Sequence, residues 1–114
     1  MKLIAVVCSR PLKLDMFRKE LFDGGYGVIT ADSMSAGLQL TERYTVDLLI
    51  IDATDLDKIE DAMRLARYYT MKKEGNVLML LDIPRDVAPF SFMARPFMLP
   101  DFFNKIKELL PEEK

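Results

Sequence analysis

Three stretches of the chain are apolar almost without interruption: Leu3–Cys8 (LIAVVC), Asp47–Asp52 (DLLIID) and Val77–Asp82 (VLMLLD). Strands with no polar alternation are buried on both faces, as in a parallel sheet. A shorter stretch, Gly27–Ala31 (GVITA), follows Gly24 and Gly25, and Phe90–Ala94 (FSFMA) is a fifth candidate strand. Between these stretches the apolar spacing becomes helical. From Pro11 to Phe22 it falls on Leu14, Phe17 and Leu21, with Leu12 and Met16 beside them. Pro11 suits a first helical turn, and Gly24 or Gly25 suits the stop. Ser33 is placed to cap a second helix carrying Ala36, Leu38 and Leu40. Asp55 is placed to cap a third, running to about Glu74 with Ile59, Met63, Leu65, Ala66 and Tyr69 inward. A last helix starts near Pro100 and carries Phe102, Phe103, Ile106, Leu109 and Leu110.

This alternation of strands and helices predicts an α/β fold with right-handed crossovers and helices on both faces of a parallel sheet. For five strands the natural doubly wound order is 2-1-3-4-5, a flavodoxin-like arrangement. The pattern holds no repeat, linker or low-complexity segment, so residues 1–114 read as one domain. The charged tail Pro111–Lys114 reads as a frayed end.

Composition narrows the chemistry. The 114 residues include 16 basic and 18 acidic side chains, a formal charge of −2, which argues against a sequence-independent grip on nucleic acid. There is no histidine, which removes the commonest general base, the phosphohistidine carrier and the usual zinc ligands. The single cysteine cannot close an internal disulfide, and a reducing cytoplasm is the default compartment. No apolar run reaches the length that spans a bilayer, and Leu3–Cys8 is too short for a signal-peptide core.

In an open parallel sheet, ligands bind beyond the carboxyl ends of the strands, beside the point where the strand order reverses. That directs attention to Cys8–Pro11, Asp52–Asp55, Leu81–Pro84 and Arg95–Pro96. Asp52 closes a buried strand, where a rigid element would hold its carboxylate at the crevice mouth as a nucleophile or metal ligand must be held. The alternative is an acid that simply faces water and caps the next turn.

DLLIID ending at Asp52, the segment from Pro11 to Gly25 and Tyr26 with GVITADS behind it, VLMLLD, and Arg95-Pro96-Phe97 before the last helix occur in the order and spacing of a known family. On these residues the chain resembles a response-regulator receiver domain over nearly its whole length. The resemblance implies that Asp52 stands at the phospho-accepting aspartate. It also implies that Arg95-Pro96-Phe97 stands at the Lys-Pro-Phe motif, whose Lys-Pro bond is usually cis.

The departures from the family are chemical. Where receivers carry two acids for Mg²⁺, this chain has Cys8 and Ser9, a thiol and a neutral hydroxyl, both poor ligands for a hard cation. Asp52 and the backbone carbonyl of Thr54 remain, so Mg²⁺ is expected to bind weakly if at all. Phosphoryl transfer in receivers depends on that ion to neutralise charge. The Ser/Thr that meets the phosphoryl group is replaced by Leu81, with Asp82 next to it adding repulsion. The invariant lysine becomes Arg95, which has a different reach. The switch aromatic falls on Phe92, which lacks a hydroxyl. Pro84 and Pro89 fall in the short span between Leu81 and Arg95, so the fourth helix is expected to be shortened or absent.

Three functional readings follow. The first is a degenerate, pseudo-receiver module that acts by protein–protein contact in a two-component-type phosphorelay. Its partner would be a histidine kinase, a downstream target or a second copy. The second is a working single-domain response regulator phosphorylated on Asp52. The third, least favoured, is a phosphocysteine-type enzyme using Cys8. Its phosphate loop would need glycines, but Ser-Arg-Pro-Leu-Lys follows Cys8 and Leu14 stands where a phosphatase arginine would be. Cys8 reads better as a small buried hydrophobe. The acids Asp52, Asp55, Asp57, Glu60 and Asp61 lack the glycine turn and terminal glutamate of a calcium loop, and read as the acidic start of a helix. The aromatic and methionine residues from Phe90 to Phe103 are either core or a recognition surface, depending on whether the span Ile83–Pro89 covers them.

Overall fold

Strand β1 (Leu3–Val7) is the hub of the sheet, because it pairs in parallel with both β2 (Gly27–Ala31) and β3 (Leu48–Ala53). Strand β4 (Asn76–Leu81) adds to β3, and β5 (Ser91–Ala94) adds to β4. The order is β2-β1-β3-β4-β5, all parallel, as the apolar runs predict. The structure, a computed structural model, describes residues 1–54, 59–73 and 75–110. Among these, helices α1 (Pro11–Asp23), α2 (Met34–Arg43), α3 (Ile59–Lys72) and α4 (Leu99–Leu109) cover the sheet. The proposed cap Asp55 and helix end Glu74 lie outside the described residues. No helix among the described residues is long and apolar enough to cross a membrane.

Side-chain alternation divides the core into two layers. Ala5, Val7, Leu49, Ile51, Ala53, Val77, Met79 and Leu81 face α2 and α3; α3 contributes Ala62, Leu65, Ala66 and Tyr69, and α2 the partly buried Met34, Ala36, Leu38 and Leu40. Ile4, Val6, Cys8, Leu48, Ile50, Leu78 and Leu80 face α1 and α4, which contribute Leu14, Phe17, Leu21, Phe102 and Ile106. Phe102 lies at the centre of the second layer, with ring centroids 5.8 Å from Phe17, 6.0 Å from Phe97 and 5.9 Å from Phe103.

Local chemistry sets the element ends. The Ser33 hydroxyl accepts the Ala36 N–H at 3.1 Å, the cap read from the sequence. Gly25 takes φ +93° after α1, a conformation that favours glycine. Strand β3 begins one residue later than the apolar run; just before it the Asp47 N–H donates to the Leu3 carbonyl at 2.8 Å, and the Asp47 carboxylate accepts the Leu3 N–H at 2.8 Å. In α1, Leu14, Phe17 and Leu21 are buried, whereas Leu12 and Met16 are exposed. In α2 the buried positions are Gly37 and Thr41, and Ala36, Leu38 and Leu40 are only partly covered.

With four helices to five strands, the fourth in chain order is the short C-terminal α4. The connection 82–90 has turns and no helix. Val87, 2% exposed, and the partly buried Phe90 pack on the α2–α3 layer. The aromatic and methionine cluster therefore divides. Met93, Phe97, Phe102 and Phe103 belong to the α1–α4 layer, and Phe92 and Met98 remain exposed. Both Ala88–Pro89 and Arg95–Pro96 are cis.

Candidate functional site

At the carboxyl ends of β1 and β3 the sheet presents Cys8 and Asp52 side by side on the α1–α4 face. Asp52 is the penultimate residue of β3, paired with Leu80 in register. Its side chain is only 5% exposed. A buried carboxylate needs partners, and among the described residues this one has Lys13, Cys8 and Thr54. The Lys13 ammonium lies 3.0 Å from Oδ2 and also donates to the Thr54 hydroxyl at 3.3 Å. The Cys8 thiol lies 3.2 Å from Oδ2, closer than its 3.7 Å approach to the Arg10 carbonyl. The Thr54 N–H donates to Oδ1 at 3.1 Å.

These contacts fix the protonation states. Burial alone pushes the Asp52 carboxyl up, but the hydrogen bonds from Lys13, Thr54 and Cys8 outweigh it and hold the group below the usual carboxylate range. Asp52 is therefore ionised at neutral pH. Burial pushes the Cys8 thiol up to about 11, with the Asp52 carboxylate adding to it. The sulfur is thus a protonated donor at neutral pH, not the ready thiolate that the phosphocysteine reading needs. Cys8 is buried, as the sequence implies, but it is a polar partner of Asp52 as well as a hydrophobe.

The structure brings together Cys8, Asp52 and Thr54, and separates the other expected positions. Ser9 and Cys8 line a cleft of about 170 Å³ with Asp52, Asp32, Ser33 and Asp61. Leu81 points to the opposite face of the sheet, fully buried in the α2–α3 layer, because its register partner is Ala53 and not Asp52. Asp82 and Arg95 pair with each other at 3.9 Å on the surface, each side chain nearly half exposed. Phe92 is partly exposed on the outer strand, opposite Met79 in register, and Pro96 follows in the exposed turn before α4. Among the described residues the cation on Asp52 is Lys13 of α1, whereas Arg95, at the position of the family lysine, pairs with Asp82.

Lys13 is the functional residue that sequence reasoning misses. It sits in the first turn of α1, a turn that contains no acid. The positive end of the helix dipole disfavours a basic residue there. An ammonium in that position calls for a nearby carboxylate from elsewhere in the fold, and that was the available signal.

Mg²⁺ takes hard oxygen donors in near-ideal octahedral geometry. Here one oxygen of the Asp52 carboxylate is engaged by an ammonium and a thiol, and the two positions after β1 offer a protonated sulfur and a neutral hydroxyl. These donors do not fit the ion. Among the described residues no group of three acidic, cysteine or histidine side chains could hold a metal.

No family model and no curated protein matches the chain by sequence. Solved structures do match by fold. Chemotaxis protein CheY4 of Vibrio cholerae aligns with TM-score 0.77 and 19% identity over 96% of this chain and 99% of its own. Response regulator TrrA of Thermotoga maritima, in complex with Mg²⁺–BeF, aligns with TM-score 0.80 and 23% identity over 96% and 100%. A response regulator receiver domain protein of Clostridium thermocellum aligns with TM-score 0.82 and 20% identity over 96% and 94%. The chain has the fold of response-regulator receiver domains.

Proposed function

We propose that this chain is a receiver-fold signalling module that works by protein–protein contact and has lost Mg²⁺-dependent phosphorylation. The observation that carries the reading is the 3.0 Å pair between Lys13 and Asp52. A phosphoryl acceptor must present a free carboxylate oxygen to a metal-bound phosphoryl donor. In this pocket that oxygen is already neutralised by a side chain. The fold supports placing the module in a two-component-type pathway, with a histidine kinase, a downstream target or a second copy as its partner. On this reading the chain is a binding module and not an enzyme.

The test exposes the protein to Mg²⁺ with beryllofluoride, the mimic present in the TrrA complex, and separately to a small acyl phosphate. No adduct with either reagent, the native chain and Asp52→Asn each keeping its own starting mass, is the expected result. A stable adduct on the native chain that disappears in Asp52→Asn would establish the working response regulator instead.

A further inference from the structure

We infer that Lys13 is a built-in counter-cation that occupies the place of a divalent ion and actively excludes one from the Asp52 crevice. This rests on the reading of the pocket as non-phosphorylating and names the residue responsible.

Replacing two acids by Cys8 and Ser9 would by itself only weaken a cation site. It would leave Asp52 buried and charged with nothing to balance it, a costly state. The structure shows how that state is avoided. The ammonium is 3.0 Å from Oδ2 and is held in place by the Thr54 hydroxyl at 3.3 Å. Its side chain is 19% exposed, so it is largely withdrawn from water. Pro11 starts α1 close behind Cys8, and from the first turn of that helix the Lys13 side chain reaches Asp52 at the end of β3. Cys8 completes the arrangement from the other strand, its thiol 3.2 Å from the same oxygen. An acid at position 8 would add a second carboxylate beside Asp52, whereas the protonated thiol adds a donor. The cysteine and the lysine therefore form one compensated set in which a hydrogen-bond donor and a monovalent cation together satisfy one carboxylate. A divalent ion reaching Oδ2 would have to displace the ammonium and would then meet a thiol that has not ionised.

The inference separates two causes of metal loss, missing ligands and an occupying charge, and the experiment separates them in turn. Mn²⁺ binding is measured by calorimetry for the native chain, the Cys8→Asp/Ser9→Asp variant, and that variant combined with Lys13→Met or with Lys13→Arg. Methionine keeps most of the apolar length of lysine and removes the charge, and arginine keeps the charge. Circular dichroism confirms that each variant folds. The expected result is no binding to the native chain, and at least ~10-fold tighter binding when Lys13→Met is added to the acid pair, a gain absent with Lys13→Arg. The Asp52 carboxyl, followed by carbon NMR in an otherwise native Lys13→Met chain, should titrate at higher pH than in the native protein. Equal affinity with and without Lys13, or an unmoved Asp52 titration, overturns the inference and leaves the pocket reading standing. Tight Mn²⁺ binding to the native chain overturns both.

Discussion

Lys13 and Asp52 are joined at 3.0 Å across the junction of helix α1 and strand β3, with the carboxylate side chain 5% exposed and the ammonium 19% exposed. The pair links fold and pocket, because the helix that covers one sheet face also supplies the charge that makes a buried strand-end acid tolerable. Breaking such a pair leaves one charge uncompensated, which costs more than an exposed ion pair is worth.

Replacing Lys13 by methionine should therefore destabilise the protein by about 1–3 kcal/mol at neutral pH. The pH dependence carries the sign. The Asp52 carboxyl titrates lower when folded than its ordinary value, so its stabilisation is present above the unfolded carboxylate range and is lost as pH falls through the folded value. Urea unfolding at pH 7 and in the acid range should show the gap between native chain and variant closing on acidification. A gap independent of pH would reduce Lys13 to packing.

The alkaline limb has a different origin. Tyr69 is 1% exposed and its hydroxyl donates to the Val46 carbonyl at 3.0 Å. Burial pushes it up to about 12. A group raised on folding stabilises below its unfolded value and loses that contribution as pH rises through the folded value. Stability should fall by about 2–3 kcal/mol between roughly pH 10 and 12 from this group. In Tyr69→Phe this part of the decline should vanish, at a neutral-pH cost of about 1 kcal/mol for the lost hydrogen bond. Unfolding curves at pH 9, 10, 11 and 12 for both proteins measure the difference.

Cys8 should be inert in the folded protein. It is 1% exposed, and its thiol is pushed up to about 11. A coloured disulfide reagent at pH 8 should label it only at the rate at which the protein opens, and rapidly in urea. Fast stoichiometric labelling of the native state would restore a reactive cysteine.

Gly37 fixes how closely α2 approaches the sheet. A β-carbon there would lie 2.6 Å from Val7 Cγ2 and 3.2 Å from Leu65 Cδ2. Alanine would improve intrinsic helix propensity by about 1 kcal/mol, but overpacking against a β-branched neighbour on β1 should exceed that. A net loss of about 1–2 kcal/mol in Gly37→Ala is expected by thermal or urea unfolding.

Much of this protein can be read from its sequence for a physical reason. Strands such as LIAVVC and VLMLLD are apolar on both faces, so burial alone determines their role, and Ser33 and Pro11 mark helix starts by local chemistry. The strand order follows from the alternation. The pocket is less legible because its decisive contact is tertiary. Asp52 announces itself by closing an apolar run, but nothing local to Lys13 names its partner. Cys8 reads as a small buried hydrophobe, and its part as a donor shows only once Asp52 stands beside it. Leu81 and Arg95 show the opposite limit, since alignment with a motif gives position but not direction. Leu81 points to the far side of the sheet, and Arg95 pairs with Asp82. The connection 82–90 was legible through its two prolines, but its use of Val87 to seal the α2–α3 layer was not.

The central claim is that the crevice balances its charge from within. Anomalous diffraction from crystals of the native protein soaked in Mn²⁺ tests it most directly. The account predicts the Lys13 ammonium on Asp52 Oδ2 and no anomalous peak beside that oxygen. A strong peak within coordination distance of Asp52, with Lys13 swung away, would contradict it.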